Sequence, residues 1–116
     1  MAWRAVHRFA RISPTKVRPV VEIIRGCEVD EALNILKFTP NRAATLVRKT
    51  LTSAVANADE AEADVELLYV LEAYVDEGPT MGRWRPKDRG RAFPIRKRNS
   101  HITVVVEEQT EVETAQ

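Results

Sequence analysis

The chain has 116 residues, 44% apolar and 30% charged, with 18 basic and 17 acidic side chains for a formal net charge of +1. That length suits one domain burying roughly two-thirds of its unfolded surface. The single cysteine, Cys27, excludes an internal disulfide and points to a reducing compartment, and no apolar run approaches the ~18 residues that span a bilayer.

Residues 2–12 alternate loosely, Trp3, Ala5, His7 and Phe9 against Arg4, Val6, Arg8 and Ala10, which predicts a strand with a partly basic face. Ser13-Pro14 reads as an N-cap followed by proline at the first helical position. Val17, Val20, Val21 and Ile24 then repeat at helical spacing up to Gly26, a left-handed C-cap candidate. Pro19 falls inside this helix, which is expected to kink there or to become regular only from Pro19.

A second helix is predicted from an Asp30 cap, burying Ala32, Leu33, Ile35 and Leu36. Thr39-Pro40 is expected to end it and to start a third, reaching about Asp59. Its apolar stripe is Ala44, Val47, Leu51, Ala54, Val55 and Ala58, with Arg42, Arg48 and Lys49 off the stripe. After an acidic connector at 59–64 the period changes to two. Val65, Leu67, Tyr69, Leu71, Ala73 and Val75 are expected to share one strand face, opposite Glu66, Glu72 and Asp76. The last strand, His101 to Glu108, sets Ile102, Val104 and Val106 on one face, and residues 110–116 form a polar acidic tail.

Between the last two strands the charge is concentrated. Residues 83–98 carry Arg83, Arg85, Lys87, Arg89, Arg91, Arg96, Lys97 and Arg98 against Asp88 alone, a balance of +7. The other hundred residues hold ten basic and sixteen acidic side chains, a balance of −6. A polyanion is the partner that best relieves such self-repulsion. A structureless loop of ~20 residues is unusual in a compact domain, so a projecting β-hairpin is predicted, about residues 78–100. Arg83, Arg85, Lys87, Arg89 and Arg91 share parity, and Pro86 and Pro94 discourage pairing with another chain. Trp84 and Phe93 are placed either to stack on unpaired bases or to pack across the hairpin. Arg4, Arg8, Arg11, Lys16 and Arg18 form a further basic group where the first strand and helix begin, beside Ser13.

Catalysis lacks a constellation. His7, His101 and Cys27 have no metal-type spacing, so neither a metal site nor a cofactor is expected. His101 is read as capping a strand end or touching a phosphate, and Cys27 as packing beside a helix end. Asp76 and Glu77 are adjacent on a strand and point to opposite faces. Gly78 and Gly90 are isolated, so no phosphate-cradling glycine loop exists. The chain is not read as an enzyme.

Three groups of residues together resemble the large-subunit ribosomal protein twenty-two family. The first is Arg11-Ile12-Ser13-Pro14-Thr15-Lys16 with Ile24-Arg25-Gly26, and the second is Ser53-Ala54-Val55-Ala56-Asn57-Ala58. The third runs Val75-Asp76-Glu77-Gly78-Pro79-Thr80, Arg83, Pro86, Gly90-Arg91-Ala92, Ile95, Lys97-Arg98 and Ser100-His101-Ile102-Thr103-Val104. Asp88 and Pro19 depart from the pattern, standing where a small apolar residue and an ordinary helix former are expected.

The resemblance implies an α+β domain over residues 1–109: a three-stranded antiparallel sheet, three helices and a long basic hairpin. It implies a structural constituent of the large ribosomal subunit that binds large-subunit rRNA, with the hairpin along the nascent-peptide exit tunnel. Its candidate rRNA contacts are Arg4, Arg8, Arg11, Ser13, Lys16, Arg18, Arg83, Trp84, Arg85, Lys87, Arg89, Arg91, Arg96, Lys97, Arg98 and His101. Neighbouring ribosomal proteins and, near the hairpin tip, the nascent peptide would be further partners. No membrane is expected, and the location is a cytoplasmic ribosome, with an organellar one as the alternative. Two other readings compete: a non-ribosomal RNA chaperone or regulator using the same hairpin, and a module whose limb docks an acidic protein.

Overall fold

Ile102, Val104 and Val106 are fully buried and lie on one face of β5 (Ser100–Glu108), the central strand of the sheet. β1 (Ala2–Ala10) and β2 (Leu68–Glu77) pair with it antiparallel on either side, in the order β1-β5-β2. The computed structural model describes residues 2–79, 81–87 and 91–108, of which 81–87 and 91–97 are described by their backbone. Three helices complete an α+β fold: α1 (Pro14–Ile24), α2 (Val29–Phe38) and α3 (Arg42–Glu60). Val17, Val21 and Ile24 of α1 and Val47 and Leu51 of α3 are fully buried and share one core with the strand valines. Each such side chain contributes roughly 1.5–3 kcal/mol through burial. The α3 stripe also holds Ala43, Ala44, Ala54 and Ala58, all buried, whose small size lets the helix lie close to the sheet.

The helix starts differ in part from expectation. Ser13 is the N-cap of α1 with Pro14 in the first turn, but its side chain makes no capping bond. Pro19 sits within α1, on its exposed side. α2 begins two residues earlier than an Asp30 cap allows: Glu28 is the N-cap, and Asp30 lies in the first turn with Glu31, where carboxylates complement the helix dipole. α3 starts at Arg42 and not at Pro40. Asn41 caps it, Oδ1 accepting from the Ala44 N–H at 2.8 Å, while Thr39 finishes α2, its hydroxyl donating to the Ile35 carbonyl at 2.7 Å. Gly26 does take a positive φ of 78°, but its N–H donates to the Val70 carbonyl at 2.8 Å, so it docks α1 onto β2 instead of closing the helix on itself.

Strand parity is where simple alternation fails. The register of β1 against β5 slips between His7 and Ala10, so that Arg8 and Phe9 together oppose His101. Phe9 adopts φ 57° and is exposed, while Ala10 turns inward, the reverse of the predicted faces. β2 slips likewise between Val70 and Glu72, leaving Leu71 as the extra residue. The buried face is therefore Leu68 and Val70, then Ala73 and Val75, and not the odd-numbered set throughout. Val65–Leu67, expected as strand, is a turn of 3₁₀ helix capped by the Asp64 carboxylate.

β3 (Met81–Lys87) and β4 (Arg91–Lys97) pair antiparallel as a hairpin that continues β2 and β5. Glu77 pairs with Ser100 and Met81 with Lys97, so the outgoing side holds one residue more between those pairs than the returning side. At this junction the Gly78 N–H donates to the Asn99 carbonyl at 2.8 Å. A Cβ on Gly78 would lie 3.1 Å from that oxygen, so the close approach favours glycine. The described arms are seven residues each.

Candidate nucleic-acid interface

Of the predicted contacts in the body, those of the turn between β1 and α1 lie at a corner tied to the hairpin root, while Arg4, opposite Val105, lies further along β1. The buried Ser100 hydroxyl donates to the Ile12 carbonyl. That bond fixes the turn between β1 and α1, which carries Arg11 and Ser13, beside the root residues Arg98 and Asn99. Arg4, Arg8, Arg11, Lys16, Arg18 and Arg98 are all exposed, and none makes an ion pair among the described residues. Ser13 is half-buried at the start of α1.

His101 sits where the β1 bulge leaves a backbone donor without a strand partner. Its Nδ1 accepts from the Phe9 N–H at 3.0 Å, and the two rings meet edge to face with centroids 4.9 Å apart. An imidazole that accepts at Nδ1 carries its proton on Nε2, which leaves a donor suited to a phosphate oxygen. Asp76 lies directly across the ladder from His101. The sheet is polarised as a whole: its β1 edge carries Arg4 and Arg8, and its β2 edge carries Glu72, Asp76 and Glu77.

In the hairpin, Arg83 pairs with Ile95, Arg85 with Phe93, and Lys87 with Arg91. Directly paired positions share a face of an antiparallel ribbon, so Arg83, Arg85, Lys87 and Arg91 occupy one face, as parity predicts. Lys97, paired with Met81, joins that face, and Arg96, paired with Gly82, takes the other. Trp84 pairs with Pro94, so Trp84 and Phe93 fall on opposite faces. Arg89, with Asp88 and Gly90, lies outside the described residues, as do Thr80 and the tail from 109.

Sequence reasoning passed over two features. Arg25 is not a free cation: its Nε donates to the Ala73 carbonyl at 2.7 Å, pinning α1 to β2. Lys49 of α3 lines a groove with Ala5, Val6, His7 and Arg8 of β1 and with Thr50 and Ser53. The spacing of Arg42, Lys49 and Ser53 along one helix face was the available signal. Cys27 follows α1 as expected, its thiol donating weakly to the Ile23 carbonyl at 3.5 Å. Burial, with a smaller effect from Glu31, pushes that thiol above its ordinary range. Among the described residues no cluster of histidine, cysteine and carboxylates fits a metal ion, and no helix is long and apolar enough to cross a membrane.

Comparison with known proteins shows the family. The family model described as "Ribosomal protein L22p/L17e" matches residues 5–107. The protein named "Large ribosomal subunit protein uL22" from Halothermothrix orenii is 54% identical over 112 residues, covering 96% of this chain and 99% of its own. The protein of the same name from Desulfitobacterium hafniense is 57% identical over 109 residues, covering 93% and 96%. That from Clostridium novyi is 51% identical over 110 residues, covering 94% and 99%. With both the length and the motif order matched, this chain belongs to the ribosomal protein L22p/L17e family, a family of ribosomal proteins and not of enzymes.

Proposed function

We propose that the chain is a structural constituent of the large ribosomal subunit that binds large-subunit rRNA through its basic sheet end and its hairpin. Residues 1–109 would act as one rRNA-binding unit, with the hairpin at about 78–100 lying along the nascent-peptide exit tunnel. Residues 110–116 would be an acidic tail outside that unit. The neighbours would be other large-subunit proteins and, at the hairpin tip, the nascent peptide of a cytoplasmic ribosome. The observation that carries this reading is the β3–β4 hairpin, which leaves the sheet directly after β2 and returns directly before β5. It delivers six lysines and arginines on the two paired arms from a root that the buried Ser100–Ile12 bond anchors. A polyanion neutralised by such an arm lets RNA segments approach that would otherwise repel one another.

Sedimentation tests the proposal. The protein should travel with the large subunit, leave it only at high salt, and be released by nuclease. Association that survives nuclease and follows an acidic protein would refute it. If about six hairpin cations meet phosphates, log K for the rRNA should fall with log salt at a slope of roughly −4 to −5. A slope near −1 would mean that the arm does not engage RNA.

A further inference from the structure

The groove between β1 and α3 is selective in its composition. Its lining residues include Arg8, Lys49, His7, Thr50 and Ser53, with no carboxylate among them. Both cations are exposed and free of ion pairs among the described residues. The Thr50 hydroxyl is already committed to the Leu46 carbonyl at 3.0 Å, but that of Ser53 is exposed and makes no hydrogen bond among the described residues. Arg42 stands seven residues before Lys49, two helical turns earlier on the same face of α3.

Backbone geometry adds a further donor. β1 is an edge strand, with β5 on one side only. The Asn57 side chain of α3 donates to the Arg4 carbonyl at 3.0 Å, so the backbone groups of Arg4 point to the free edge, toward α3. In an antiparallel strand that direction repeats every second residue, which turns the N–H of Val6 to the same edge, in the lining of the groove. The Asn57 bond also seats the helix against the strand, so this set of donors is ordered when the protein folds.

We infer that this groove holds a phosphate of the RNA backbone, with Lys49 and Arg8 supplying charge and the Val6 N–H and Ser53 hydroxyl supplying neutral donors. The inference rests on the proposed rRNA-binding function and extends it to Lys49 and Ser53 of α3. RNA fits better than an acidic peptide, because the donors follow one another along a strand edge and a helix face, the layout that a continuous phosphodiester backbone can track. The contact fixes register and orientation, and it reads no sequence.

The test measures binding of the full-length protein to large-subunit rRNA across a salt series. Lys49→Gln and Arg8→Gln should each weaken binding about 3- to 10-fold and flatten the salt slope by somewhat under one unit. Lys49→Arg should restore both, and Lys37→Gln, exposed on α2 away from the groove, should change neither. Thermal melts of all four variants should match the unsubstituted protein. If that protein binds with the expected steep slope while Lys49→Gln and Arg8→Gln bind equally well, the groove is not a phosphate site and the proposed function stands. If the unsubstituted protein does not bind rRNA, both fall. Loss of affinity at all salts, with a lowered melting temperature, would assign Lys49 a structural role and overturn the inference.

Discussion

The ladders β2–β5 and β3–β4 join at Gly78 and Asn99, one continuing the other, yet their side chains have little in common. β2 and β5 contain no lysine or arginine and bury Leu68, Val70, Ala73, Val75, Ile102, Val104 and Val106. β3 and β4 together carry six lysines and arginines and two prolines in fourteen residues. Backbone pairing alone therefore does not determine what a ribbon needs. A ladder becomes independently stable when a second layer covers one face. The first ladder finds that layer in α1 and α3 of its own chain. The second offers a face of cations, for which the fitting layer is a polyanion, and on the proposed function that layer is rRNA.

The largest expected effect contrasts the two ladders directly. Leu51→Ala, at a fully buried site on α3, should cost about 2–5 kcal/mol and lower the melting temperature sharply. Replacing 83–95 by Asn-Gly, with the Gly82–Arg96 pair flanking the new turn, should keep a cooperative melt and shift stability by no more than about 1 kcal/mol. Loss of that transition would make the hairpin part of the core and erase the contrast.

The contrast extends to RNA binding. The corner at Arg11, Lys16 and Arg18 is ordered on folding, whereas an arm ordered only by its ligand would forfeit ~1–2 kcal/mol of backbone entropy per residue. Changing all three to glutamine should flatten the salt slope for an rRNA fragment by about two units. Deleting 86–92 should leave affinity for the same fragment within about tenfold, or ~1.4 kcal/mol. The opposite ranking in a binding titration would make the tip the primary anchor.

Ser100→Ala examines the joint between the two regions. It strands the Ile12 carbonyl in a buried site and should cost about 1–3 kcal/mol in a denaturant melt. An unchanged melt would mean that the corner is held by packing alone. The smallest effect concerns Cys27. Its thiol is raised by burial and by Glu31, so alkylation near neutral pH should be slower in the folded protein than in the unfolded chain. The sign for stability follows: a raised thiol favours the fold below the ordinary thiol range, and that contribution is lost as pH rises through the folded value. Equal alkylation rates for the folded and unfolded protein would remove this expectation.

Much of the architecture was legible in the order of residues. The valine and alanine stripes of α1 and α3, the Ile102–Val106 alternation and the concentrated cations at 83–98 identify three helices, a central strand and a basic hairpin, because each signal is periodic within one element. The motifs around Ser13-Pro14, Ser53–Ala58 and Val75–Val104 carried the family. Other features depended on contacts between elements. Alternation in β1 and β2 cannot reveal that Phe9 and Leu71 are extra residues, since a bulge is defined only against the register of β5. Thr39-Pro40 looks like a helix start as plausibly as Asn41 does, and the Asn41–Ala44 bond decides between them. The pinning of Arg25 to Ala73, the orientation of His101 by the Phe9 N–H and the meeting of Lys49 with Arg8 join residues 48, 92 and 41 positions apart. Local sequence is silent on such pairs, and only the packing of helices against a sheet of fixed register brings them together.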